Sequence, residues 1–197
     1  IIHSSITRKG VLMKTAKFGL CLTAAFILSL ALNLHGQEKR ASPAASVVQV
    51  VGKAQIRINY SSPGVKNRKI WGELVPYGLT KNKDGKAIPW RAGANENTTF
   101  STTKDIKIEG QTLKAGTYGL HMIPGQEEFV VIFNKNSTAW GSFSYDESQD
   151  ALRVKVKPES SPFQESLSYG FDNLTDHSCT AFLQWEKLRV PIKLELQ

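Results

Sequence analysis

An all-β fold is what this sequence predicts, an antiparallel β-sandwich of roughly ten short strands. Three observations carry that expectation. Apolar and polar residues alternate over short runs, as in Ile56, Ile58 and Tyr60 against Arg57 and Asn59. Glycine, proline and Asp-Gly turn signals separate those runs at close intervals. No window shows the periodicity of an amphipathic helix. A closed β-barrel satisfies the same pattern and stands as the alternative.

The elements follow in order. Residues 1–12 read as sequence upstream of a start at Met13. From there Lys14 and Lys17 precede an apolar run, Phe18 to Leu34, interrupted only by Thr23, Ser29 and Asn33. That is the pattern of a signal peptide spanning residues 13–36, with a candidate cut after Gly36. The expected location is therefore periplasmic or extracellular, with no membrane association once the signal is cleaved. Residues 37–46 read as a polar, mobile linker, and residues 47–197 as a single domain.

Val47–Val51 and Ala54–Tyr60 flank Gly52-Lys53, a compact hairpin signal. Lys69–Val75 is a further candidate strand, closed by Pro76 and Gly78. Lys81–Pro89 is a charged surface loop with Asp84-Gly85 at its tip. Thr98–Thr102 and Asp105–Glu109 alternate as strands. Thr117–Ile123 and Phe129–Asn134 form the clearest hairpin, around Pro124-Gly125. The second of these is apolar on both faces, which places it centrally in a sheet. Leu152–Lys157 and the run through Leu167, Tyr169 and Phe171 alternate again. Cys179–Trp185 and Val190–Leu196 end the domain as two strands, and Pro191 marks the last as an edge.

Charge and cysteine content narrow the function classes. The chain has 25 basic and 17 acidic residues. Loss of the leader removes Arg8, Lys9, Lys14 and Lys17, leaving 21 basic against 17 acidic and a charge of about +4. The remaining excess is dispersed, so nucleic acid is not an expected partner. Lys66-Asn67-Arg68-Lys69 reads as a solvated loop. Only Cys179 remains after cleavage, so no internal disulfide forms and a hydrophobic core must hold the domain. Phase with Ala181, Leu183 and Trp185 makes Cys179 a buried thiol.

The segment that looks specified by more than a strand or turn is Trp90-Arg91-Ala92-Gly93-Ala94-Asn95-Glu96. It places a cation, an amide and a carboxylate among small residues that permit a tight backbone. Two readings stand. Arg91 and Glu96 can form a structural pair that pins a loop. Alternatively Arg91, Asn95 and Glu96 can line a cleft for a polar small molecule or glycan, with Trp90 and Trp71 stacking on a ring. His121 is a further ligand-binding candidate, set against a hydrogen-bonding role in the strand. Glu96 is the candidate general acid/base should the protein be an envelope hydrolase, with Arg91 orienting the substrate. Asp146, Glu147 and Asp150 read as a solvated turn. Two imidazoles and one thiol do not complete a metal site, so no metal and no cofactor are expected. The third function class is a protein-interaction domain using an exposed edge near Val190–Leu196. Oligomeric state is not readable from the residues.

Five blocks in order give a resemblance. They are Tyr60-Ser61-Ser62-Pro63, Ile70–Gly78, Trp90–Glu96, Ala115–Leu120 and Val131–Lys135. Together they resemble the bacterial secreted family called domain of unknown function 2911, over roughly residues 47–196. The resemblance implies an envelope location and one β domain; the family carries no established activity and transfers no mechanism. Here Leu79–Pro89 lengthens a link that in the family runs almost directly from Pro-Tyr-Gly to Trp-Arg. The leading expectation is thus a non-catalytic binding or accessory module for a polar ligand such as a glycan.

Overall fold

The computed structural model describes residues 40–197. The signal peptide expected at 13–36 and the residues before it lie outside the described residues. No helix among the described residues is long and apolar enough to cross a membrane.

Among the described residues twelve strands form in chain order. They are β1 (Ala44–Val51), β2 (Ala54–Ser61), β3 (Thr80–Lys81), β4 (Ala87–Ile88), β5 (Thr99–Thr102) and β6 (Ile106–Ile108). β7 (Gln111–Leu113), β8 (Gly116–Ile123), β9 (Phe129–Asn134), β10 (Asp150–Val156), β11 (Glu159–Asp172) and β12 (Ser178–Leu196) follow. A six-stranded sheet has the order β1-β2-β5-β8-β9-β10, and a four-stranded sheet the order β11-β12-β6-β7. β3 and β4 make a separate hairpin. Every ladder is antiparallel, and no ladder joins the ends of either sheet, so the fold is a sandwich and not a closed barrel.

Alternation builds the core. Ile56, Ile58, Phe100, Leu120, Val131, Phe133 and Val154 point inward from the larger sheet. Ile106, Ile108, Leu167, Tyr169, Leu183, Trp185 and Leu194 meet them from the smaller one. Burying such side chains on both inner faces is what holds two sheets together. β9 lies between β8 and β10, as its two apolar faces require. Its outward residue Ile132 packs with Ile88 and Tyr145 in a second, small apolar cluster. Loops therefore cover the outer face of the large sheet at that point.

Three expectations change. Strand β1 begins at Ala44, inside the segment read as a linker. Lys69–Val75 is not a strand but a tight turn, closed by hydrogen bonds from Gly72 N to Val75 O (2.9 Å) and Val75 N to Ile70 O (2.9 Å). The last two expected strands are one strand of 19 residues, β12. Its buried positions are odd up to Trp185 and even from Val190. Glu186, at φ 57°, faces the slipped stretch of β11 where the phase changes, and a broken alternation reads as two strands. β12 lies between β11 and β6 in the strand order, but β11 pairs with it only up to Arg189 and β6 only from Leu194, so along Val190–Leu196 the β11 side carries no ladder, as expected for an edge. Pro191 falls between the two ladders, after Arg189 pairs with Glu159 and before Leu194 pairs with Ile108, and costs neither a bond.

Trp185→Ala, which empties a fully buried indole site, is expected to cost about 3–5 kcal/mol by urea unfolding. Phe163→Ala, on an exposed position of β11, is expected to stay within about 0.5 kcal/mol of wild type.

Candidate functional site

The loop from Pro89 to Thr98 joins the β3–β4 hairpin to β5. Its backbone is fixed before its side chains matter. Trp90 N donates to Met122 O and Met122 N to Trp90 O, both at 2.8 Å, which ties the loop to β8. The Ala92 carbonyl accepts from Thr98 Oγ1 at 3.1 Å and from Tyr169 Oη at 2.8 Å. Ala92 and Asn95 take positive φ, 50° and 58°. At Gly93 a Cβ would lie 2.7 Å from Thr98 Oγ1, so only glycine fits between loop and strand.

Held this way, the expected residues separate. Arg91 and Glu96 do not pair with each other. Arg91 Nη1 donates to the Asn95 carbonyl, and the guanidinium lies 4.8 Å from the centre of the Phe143 ring. The Gly141 backbone presses on it so closely that a Cβ there would be 2.3 Å from the guanidinium carbon. Burial draws the Arg91 pKa below its ordinary value. Glu96 pairs with Arg40 instead and accepts from Ser61 Oγ at 3.2 Å. The hydrogen bond from Arg40 holds its carboxyl below the usual carboxylate range, with its own backbone amide assisting. It borders an open hollow of about 450 Å³ with Arg40, Asn59 and Ser61. Asn95 Nδ2 donates to the Ser42 carbonyl at 3.2 Å, so the segment expected as a linker is bonded to this loop.

Trp71 and Trp90 are not a free stacking platform. Trp71 meets Trp90, Phe129 and Trp185 edge-on at 5.8, 5.7 and 6.0 Å. Trp90 stacks on Trp185 at 6.3 Å. Their rings serve one another, which seals the core beneath the loop.

His121 sits on the outward face of β8, yet it is buried. Nδ1 lies 2.9 Å from Ser142 Oγ, and the ring meets Tyr145 edge-on at 5.4 Å. Burial lowers its pKa to about 4, against a smaller upward pull from Asp150, while Arg91 adds to the lowering. The imidazole is therefore neutral at physiological pH and packs beneath the turn Ala139–Phe143. Asp150 also departs from the solvated turn expected for it. It accepts from Asn134 Nδ2 at 2.7 Å, Tyr145 Oη at 2.7 Å and Arg153 Nε at 2.6 Å. Asp146 caps the short 3-10 turn Glu147–Gln149 and is exposed. Cys179 is buried in the core, and that burial raises its thiol pKa to about 11. Among the described residues no group of three His, Cys, Asp or Glu side chains converges on a point where a metal could bind.

Sequence reasoning missed the turn that covers Arg91. Trp140 and Phe143 are 58% and 50% exposed, large aromatic rings presented to solvent on either side of Gly141 and the buried Ser142. The run Ala139-Trp140-Gly141-Ser142-Phe143-Ser144-Tyr145 holds three aromatics among small residues, and that density was the available signal. Asn97 N donates to Ala139 O at 3.3 Å and Asn97 Nδ2 to Asn136 O at 3.1 Å, which fastens turn to loop. The extra hairpin reaches the same place: Asn82 Nδ2 donates to the Phe143 carbonyl at 3.2 Å.

Between pH 6.5 and about 4 the unfolded chain binds a proton at His121 that the folded chain does not. Folding stability is thus complete above 6.5 and falls as pH drops toward 4, by on the order of 3 kcal/mol. His121→Gln should flatten that part of a stability–pH profile measured by urea unfolding; an unchanged slope would show that the imidazole is not buried neutral. Glu96→Gln, which breaks only a half-exposed ion pair, is expected to cost less than about 1 kcal/mol in the same assay.

No curated protein and no solved structure matches this chain. A family model does, over residues 42–194, which takes in β1 to β11, β12 as far as Leu194, the pinned loop and the aromatic turn. The chain belongs to the family described as protein of unknown function (DUF2911).

Proposed function

We propose that this chain is an exported binding module of the cell envelope, non-catalytic, with a polar ring-bearing ligand of the glycan class. The observation that carries the reading is the pair of solvent-facing aromatics, Trp140 and Phe143, mounted on a turn that packs against Arg91. Apolar ring faces beside fixed polar groups are what a sugar's C–H face and hydroxyls require. The turn cannot drift, because Gly141 sits on the Arg91 guanidinium and Ala139 accepts from Asn97. Arg91, Asn95 and Glu96 supply donors and acceptors on the adjoining loop. An export leader read at 13–36 supports the envelope location. The hairpin that lengthens the link before Trp90 touches the Phe143 carbonyl, so it would shape the ligand edge of this protein.

The geometry around Glu96 favours binding over hydrolysis. A general acid needs a raised pKa, whereas Arg40 and the Glu96 amide hold this carboxyl low. An ionised carboxylate fixed by Arg40 and Ser61 is suited to accept hydrogen bonds from hydroxyl groups.

Titration of the purified protein with neutral, amino and uronic-acid oligosaccharides, followed by calorimetry and tryptophan fluorescence, tests the reading. At least one class is expected to bind, and Trp140→Ala and Phe143→Ala should each weaken it about tenfold, the worth of one aromatic stack. No binding across the three classes, or binding unaffected by both substitutions, would reject it.

A further inference from the structure

An open sheet edge presents unpaired N–H and C=O groups, and natural sheets guard such edges. Among the described residues the strand orders end on four strands: β1 and β10, β11 and β7. Three are guarded. β10 carries Arg153 and Lys155, and its register slips between Asp150 and Leu152. β11 contains Pro162 and slips twice against β12. β7 is three residues long. β1 has no guard. Ala44–Val51 contains no charge, proline or glycine, and it pairs with β2 through eight successive residues without a slip.

The ladder sets which groups are free. Pro43 O accepts from Ser62 N at 2.8 Å, so odd positions of β1 bond toward β2. Antiparallel pairing alternates, so Ala44, Ser46, Val48 and Val50 direct their N–H and C=O groups away from the sheet. The Val50 carbonyl is met by its neighbour's side chain: Gln49 Nε2 donates to it at 2.9 Å. Val48 and Val50 also expose 41% and 55% of their surface.

We infer that β1 pairs with β1 of a second copy of this chain, antiparallel about a two-fold axis at Gln49. The strand itself selects a copy. Val47-Val48-Gln49-Val50-Val51 reads the same in both directions, so the axis sets Val48 against Val50 of the second copy. Both are outward-bonding positions, which makes them a hydrogen-bonded pair, with Gln49 facing Gln49 in a non-bonded pair. The Gln49 amide now occupies the Val50 carbonyl where Val48 N–H of the second copy would donate, and pairing releases it to the opposite Gln49. With no charge on the strand, two copies meet without repulsion. A two-fold contact consumes both β1 edges, and the outer edges left are the guarded β10 strands, so assembly stops at two.

Sedimentation velocity of the purified chain, expressed with its own leader, tests this directly. A dimer is expected at concentrations up to about 100 μM, the range in which a small strand-to-strand interface is populated. Val48→Pro removes an N–H that β2 does not use, and Val50→Lys adds the usual edge guard; both should give single-chain mass with an unchanged far-UV spectrum. Gln49→Cys should cross-link to its copy under mild oxidation, because facing residues of a non-bonded pair sit at about 4.5 Å between Cα atoms, within disulfide reach. Single-chain mass for the wild type overturns the inference. So does a dimer that survives both edge substitutions, or a folded Gln49→Cys variant that stays uncross-linked.

Discussion

A buried carbonyl needs a donor, and the Ala92 carbonyl has two. Thr98 Oγ1 reaches it from the end of its own loop and Tyr169 Oη from the opposite sheet. Ala92 is fully buried, so without these partners the loop would carry a peptide group stripped of water at a cost of about 1–3 kcal/mol. Burial holds the Tyr169 pKa well above its ordinary value, which keeps the phenol protonated and able to donate. One hydrogen-bonding group thus locks an irregular crossing to both layers of the sandwich. The positive φ of Ala92, the glycine at 93 and the direction of Arg91 all follow from that anchorage.

The second consequence concerns the outer face of the large sheet. Strand β8 buries both faces from Tyr118 to Met122, because the β3–β4 hairpin and the turn through Tyr145 lie over it. Polar residues trapped there satisfy one another. His121 meets Ser142, and Asp150 gathers Asn134, Tyr145 and Arg153. That hydrogen-bonded floor supports the turn bearing Trp140 and Phe143. A rigid support of this sort is what a surface site needs to hold its rings in place.

Much of the architecture could be read from alternation alone. The hairpins β1–β2 and β8–β9 and the core residues of β2, β10 and β12 have a period of two, which is a local property. What escaped is non-local. The irregular stretch at Glu186, opposite the slips of β11, changed the phase so that one strand read as two, while Pro191 sits in the gap between the two ladders of β12. Lys69–Val75 carried strand-like residues but folded as a turn under contacts to Phe129 and Trp185 that sequence does not display. In the site, the crowding of small residues at 92–94 was a sound local signal. The partners were not local: Arg40 comes from a segment that reads as linker, and Phe143 lies far along the chain from Arg91. The proximity of Arg91 and Glu96 in sequence pointed to a pair that the backbone conformation keeps apart.

The central claim is that the loop from Trp90 to Thr98 is as firmly built as the sheets it joins. Amide hydrogen exchange followed residue by residue tests it most directly. The amides of Trp90 and Met122, which bond to each other's residues, should exchange only with global unfolding, at the rate of neighbouring β8 and β9 amides. Exchange of Trp90 at the rate of exposed loop amides, with β9 still protected, would contradict the account: the loop would then open by itself and could not hold Arg91 and the aromatic turn in register.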